Sequence, residues 1–164
     1  MIVTTLLCGC QKALERKKAT TLKTDSIQGQ YISIADSINY GVVVKNRDES
    51  DTWQKKSLKS FEREAFVDFL FKAVYEGRLK PYDYFSGEPL SLQEVKELEK
   101  NEEFNRSRIG KIQFKERWYF DTDRLQMVKQ VTSVMLAYEV YREDGSFRGY
   151  KPAFLVKLPT NLRK

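Results

Sequence analysis

The feature that most constrains this chain is the strict alternation of apolar and polar residues in its C-terminal half. Ile112, Phe114, Trp118 and Phe120 alternate with Lys111, Gln113, Lys115, Arg117 and Tyr119, and Glu116 is the residue out of pattern. Successive side chains on a strand point to opposite faces, so this pattern predicts a strand with one face on a core. Asp121-Thr122-Asp123 supplies a turn. A long second strand then runs from Leu125 to Tyr141, and its apolar phase changes partway. Leu125, Met127 and Val131 are odd-numbered, whereas Val134, Leu136, Tyr138 and Val140 are even. A one-residue change of phase inside a strand is what a β-bulge or a bend produces. Glu143-Asp144-Gly145-Ser146 reads as a hairpin turn, and Tyr150 to Leu158 as a third strand. Pro152 in that strand fits near a strand start or on a sheet edge.

The N-terminal half mixes both periods. Tyr31-Ile32-Ser33-Ile34 alternates like a short strand, and Tyr40 to Val44 reads as another. Asn46 to Gln54 is polar and predicts a loop. Ser60 to Arg78 predicts a helix with Phe61, Ala65, Phe66, Phe69, Leu70, Ala73 and Val74 on one face. Gly77 is a natural stop for it. Pro81 to Gly87 is an aromatic loop. Ser91 with Glu94 forms a capping box that opens a second helix, through about Asn101. The expected architecture is α+β: an antiparallel β-meander of about three or more strands with a helical pair packed on one face. It forms a single domain over residues 29–158, with residues 159–164 as a tail.

A chain of 164 residues, 41% of them hydrophobic, is long enough to hold a core without cross-links. Histidine is absent, and the two cysteines are Cys8 and Cys10. Beyond residue 10, therefore, a Ser-His-Asp or Cys-His catalytic set, a zinc site with His or Cys ligands, haem on those ligands and a disulfide scaffold are all excluded. Carboxylate chemistry, Lys or Tyr chemistry, and binding remain. Asp121 and Asp123 flank Thr122 beside Trp118, and two acids in an aromatic cleft would suit a glycosidase. Asp83 lies between Tyr82 and Tyr84. All three acids stand where aspartate ordinarily serves a turn, so no catalytic residue is expected, nor any metal or cofactor.

The net charge is +6. Lys12, Arg16, Lys17, Lys18 and Lys23 against Glu15 and Asp25 put half of that excess in one polar segment near the start. Lys111, Lys115 and Arg117 share a strand face with Tyr119, and Lys129 lies on the neighbouring strand. Basic and aromatic residues on a sheet are a pattern of single-strand nucleic-acid binders. A solvated face whose lysines discourage edge pairing uses the same residues. The modest charge of the body favours the solvated face, and no nucleic-acid partner is expected.

The first ten residues read Met-Ile-Val-Thr-Thr-Leu-Leu-Cys-Gly-Cys. Leu7 lies three positions before Cys10, and the small Gly9 directly precedes it. This resembles a bacterial lipoprotein signal, which implies acylation of Cys10 as the mature N-terminus, with residues 1–10 a signal remnant. Several acyl chains on one cysteine give stable anchoring, at about 0.8 kcal/mol per buried methylene. Residues 11–28 then form a flexible basic tether. In lipoproteins of the Bacteroidetes type, acidic residues after the cysteine accompany export to the surface. A basic segment instead implies the periplasmic face of the outer membrane.

Four passages in order resemble the GldN/PorN family, periplasmic proteins of the gliding-motility and type IX secretion machinery in Bacteroidetes. They are Ile32 to Asn39, the helix ending in Gly77 with Leu79-Lys80-Pro81-Tyr82-Asp83 after it, Glu116 to Asp121 with Arg124 and Met127, and Asp144 to Phe154. The resemblance covers about residues 30–158. Val131 to Leu136 stands where the family carries a Gly-Ile-Ala-Pro-like stretch, and Val156-Lys157-Leu158-Pro159 replaces its aromatic, Pro, Cys and Arg ending. The resemblance implies a non-enzymatic assembly role, with an outer-membrane lipoprotein of the secretion ring as partner and a second copy of the chain as another. A periplasmic lipoprotein that binds a glycan or a peptide is the alternative.

Interfaces favour exposed Tyr and Phe with Arg nearby. The candidate partner-binding residues are therefore Tyr82, Tyr84 and Phe85 in the aromatic loop. Arg117, Tyr119, Phe147 and Arg148 are expected as a second patch.

Overall fold

The alternating C-terminal half folds as an antiparallel meander of β3 (Ile109–Asp121), β4 (Gln126–Tyr141) and β5 (Phe147–Lys157). The structure is a computed structural model that describes residues 31–160. Before the meander come β1 (Tyr31–Val43), α1 (Thr52–Leu58), α2 (Arg63–Tyr75), β2 (Pro81–Tyr82) and α3 (Leu92–Lys100). All strands join one antiparallel sheet in the order β1-β3-β4-β5-β2. The architecture among the described residues is thus α+β, with five strands and three α-helices. The expected signal remnant 1–10 with Cys10, and the tether 11–28, lie outside the described residues.

The phase change in β4 is a bulge. Lys115 pairs with Ser133 and Glu116 with Val131, so Thr132 is the extra residue. Its polar groups are paired: the hydroxyl donates to the Lys115 carbonyl at 3.0 Å, and its carbonyl accepts from the Leu158 amide at 2.8 Å. Beyond the bulge, Val134, Leu136 and Tyr138 turn toward one face. They form a single buried cluster there with Ile109, Ile112, Phe154 and Val156 from the sheet, Val67, Leu70, Phe71 and Val74 from α2, and Val95 from α3. Full burial of each large apolar side chain is worth roughly 1.5–3 kcal/mol. Pro152 lies on the stretch of β5 that β2 does not reach, next to a register shift.

Three sequence expectations change. The two short N-terminal strands are one, β1. Register shifts at Ser33/Ala35 and Ala35/Ile38 interrupt its alternation while pairing with β3 continues. The expected loop to Gln54 is cut short by α1, where the Asp51 side chain accepts from the Gln54 amide at 2.9 Å as an N-cap. The buried face of α2 is rotated from the expected one. Val67 and Phe71 are buried, whereas Ala65 is exposed and Phe69 is 53% exposed. Phe69 instead lies against Arg78, whose guanidinium carbon is 5.3 Å from the ring centre. Gly77 ends the helix at φ 69°, and the Arg78 amide reaches back to the Ala73 carbonyl at 2.9 Å.

Arg106 ties the helices together. It bonds Glu99 of α3 at 2.6 Å and Asp68 of α2 at 2.9 Å, and its guanidinium carbon lies 4.2 Å from the Phe71 ring centre. Tyr75 donates its hydroxyl to Glu99 as well. Burial, and then that bond, push the Tyr75 phenol up to about 12.

The sheet face opposite the core holds a buried carboxylate. Glu139 is fully buried. It is held by Lys45 at 2.7 Å and by the Tyr141 hydroxyl at 2.9 Å, with Arg47 at 3.9 Å. Arg47 in turn covers Phe147, with its guanidinium carbon 3.4 Å from the ring centre. These contacts pin the segment after β1 across the end of the sheet. Gly110, the extra residue of a second bulge in β3, leaves the room for this. A Cβ there would come within 2.9 Å of both Glu139 Cγ and the Tyr150 ring. Gly110→Ala is expected to cost about 1–3 kcal/mol by overpacking, read as a lower urea midpoint with an unchanged slope.

A candidate partner-binding trough

The trough starts from the other half of the β3 alternation. Ile112 and Phe114 pair with core-facing residues, so Gln113, Lys115 and Arg117 face away from the core. Their partners share that face: Gln113 pairs with Met135 and Lys115 with Ser133, and across the next ladder Met135 pairs with Leu155 and Ser133 with Lys157. These residues line two adjoining depressions, of about 410 and 420 Å³. Lys115, Ser133 and Leu155 belong to both, so the two form one trough. Its volume is that of a site for several side chains, not of a single ion.

One end of the trough is apolar. β2 pairs Tyr82 with Leu155, which carries the aromatic loop onto the outer face of the sheet. There the Tyr84 hydroxyl donates to Gln113 at 3.3 Å, and Lys157 lies 4.0 Å from the Tyr82 ring centre. Phe85 stacks edge-on against Tyr84 at 5.3 Å and is 80% exposed. Asp83 builds this loop. Its Oδ1 accepts from the amides of Phe85 and Ser86, at 3.0 and 2.7 Å, and from the Ser86 hydroxyl at 2.9 Å. The Ser86 bonds, followed by the Phe85 amide, hold the Asp83 carboxyl below the usual carboxylate range.

The other end is cationic. Lys115, Arg117 and Lys157 are exposed there, with Asp36, Ser37, Thr132 and Thr160 around them. Among the described residues none of these three cations forms a salt bridge. Lys111, Lys129, Arg142 and Arg148 elsewhere likewise form none, so what distinguishes the trough is that three such cations line one depression. Asp36, the acid at the rim, accepts from Ser33.

The structure therefore places Tyr82, Tyr84, Phe85 and Arg117 around one trough. The expected second patch is not one surface. Tyr119 pairs with Val128 and Phe147 with Tyr141, so they stand about 40 Å apart along β4 at ~3.3 Å per residue. Tyr119 is also only 8% exposed. Phe147 is half-buried under Arg47 and stacks on Tyr150 at 5.1 Å, whereas Arg148 is exposed beside Glu103 and Arg142. The turn acids are structural. Asp121 is 1% exposed, and its Oδ1 accepts from the amides of Asp123 and Arg124 at 3.0 and 2.9 Å.

Lys157 and the framing role of Asp83 do not stand out in the sequence. Lys157 follows the apolar run of β5 and gains meaning only from pairing with Ser133. Among the described residues no helix is long and apolar enough to cross a membrane.

The model of the family described as gliding motility associated protein GldN matches residues 30–163. That span includes every described residue, and the chain belongs to this family. No curated protein matches the chain.

Asp83 gives the aromatic loop a testable dependence. Asp83→Ala is expected to speed amide hydrogen exchange at Phe85 and Ser86 by about tenfold, with the melting of the core unchanged. Because the folded carboxyl titrates below its unfolded value of about 3.9, the support is complete above that pH. It disappears as pH falls through the folded value. Exchange at both amides, corrected for intrinsic rates, should rise in the wild type over the same acid range.

Proposed function

We propose that this GldN-family chain is a non-enzymatic assembly component of the gliding-motility and type IX secretion machinery. Lipid on Cys10 holds it at the outer membrane, facing the periplasm, and the basic tether lies along anionic headgroups. The domain then docks a neighbour, an outer-membrane lipoprotein of the secretion ring or a second copy of the chain, through the aromatic loop and the trough. The family match over the whole described fold carries this reading. The site supports it: exposed aromatic surface beside cations with no carboxylate partner among the described residues suits capture of another chain. No arrangement of acids in the turns competes with it, because Asp83 and Asp121 are occupied by their own loops' amides.

A concave trough also suits the alternative, a lipoprotein that binds a free peptide or glycan. The two readings part in the cell. Gentle cross-linking and purification of the tagged protein from outer membranes is expected to recover a second outer-membrane lipoprotein in comparable amount. Recovery of the protein alone counts against assembly. Cys10→Ala is expected to move the protein from the membrane to the soluble fraction, and a variant that stays membrane-bound contradicts the anchor.

A further inference from the structure

We infer that the trough binds an extended acidic segment of the partner chain, with carboxylates two residues apart and an apolar residue two residues further on. The inference rests on the assembly reading and names the chemistry of the docking surface.

The spacing comes from β3. Arg117, Lys115 and Gln113 are successive outward-facing positions on one strand, each about 6.6 Å from the next. The first two are exposed cations without a salt bridge among the described residues. The third holds Tyr84, and with it Phe85. An extended segment lying along β3 has the same repeat, so side chains at positions i, i+2 and i+4 all point down into the trough. Carboxylates at i and i+2 meet Arg117 and Lys115, and an apolar side chain at i+4 meets Phe85. Lys157, two strands away and about 10 Å across the sheet from Lys115, adds positive charge beside the middle position. Arg117 offers a planar fork suited to bidentate carboxylate binding.

Charge complementarity selects this occupant. Three cations without a salt bridge among the described residues, against the single acid Asp36, repel a basic segment and leave a wholly apolar one with nothing to pair them. Phe85, 80% exposed, leaves a purely ionic ligand such as free phosphate without a reason for the apolar end. The occupant is therefore acidic and apolar at a fixed spacing.

The test uses the full chain and two fluorescein-labelled peptides of one composition. One carries Glu-Ser-Glu-Ser-Phe, and the other carries adjacent glutamates, Glu-Glu-Ser-Ser-Phe. Fluorescence polarisation is expected to show the first binding at least tenfold tighter, with affinity falling as salt rises. Lys115→Glu with Arg117→Glu should abolish binding. Phe85→Ala should weaken it several-fold. All three side chains are exposed, so circular dichroism melts of the variants should match the wild type. Equal affinity for the two peptides, binding that survives charge reversal, or binding to anionic vesicles with none to peptide overturns the inference.

Co-isolation from outer membranes separates it from the assembly reading. A charge-reversed chain that still co-isolates with the ring lipoprotein defeats the trough assignment and leaves assembly standing. A wild-type chain that co-isolates with nothing defeats assembly, whatever the peptides show.

Discussion

The bulge at Thr132 is the constraint on which the rest of the structure depends. β4 is long enough to serve two roles, and the extra residue switches which of its side chains face the core. Before it, Met127, Lys129 and Val131 share the face of Glu116, Trp118 and Phe120. After it, Val134, Leu136 and Tyr138 complete the core with α2, α3 and β5. Without the switch, a strict alternation would carry Ser133 and Glu139 into the core, a polar load no partner there could satisfy. The bulge also shapes the outer face. Its own hydroxyl is bonded to the Lys115 carbonyl, so the residue that resets the register also lies in the trough beside Lys115.

Charge is distributed on two principles. Buried carboxylates are bonded: Glu139 through Oε2 by Lys45 and Tyr141, with Arg47 3.9 Å from Oε1, and Glu116 by Tyr40 at 2.7 Å and Trp118 at 2.8 Å. Burying such groups is tolerable only with these partners in place. Burial, with the Glu116 bond, also pushes the Tyr40 phenol up to about 12. The exposed cations of the trough have no such arrangement. Lys157 lies over the Tyr82 ring, and with Lys115 and Arg117 it concentrates positive charge beside an exposed phenylalanine. The proposed docking role draws on that clustering of charge and exposed aromatic surface.

Much of this was legible in the residues. The period of two gave β3 and β4, the phase change in β4 located its bulge, and the turn at Glu143 to Ser146 set off β5, which begins three residues before the expected Tyr150. Ser91 and Glu94 gave the start of α3, and Gly77 the end of α2. What was hidden depends on pairing between distant segments. β1 looked like two strands because its bulges break the pattern that pairing with β3 preserves. The buried face of α2 was legible at Leu70, Ala73 and Val74, but Phe69 and Ala65 fit a helical stripe as well as Val67 and Phe71 do; only the position of the sheet decides between them. The aromatic loop was visible as a candidate, but its meeting with Lys115 and Lys157 follows from the Tyr82–Leu155 pairing, which two residues of β2 do not announce. Tyr119 and Phe147 looked equivalent in sequence and lie toward opposite ends of the sheet.

The central claim is that the outer face of the sheet, at the aromatic loop, is where this protein meets its neighbour. The most direct measurement places a photo-reactive amino acid at Phe85 and, in a separate strain, at Phe69. Both positions are exposed and aromatic, at 80% and 53%, but Phe69 lies on α2, away from the trough. A discrete cross-linked adduct with an outer-membrane component is expected from position 85 and none from position 69. An adduct from position 69 alone, or from neither, would contradict the claim.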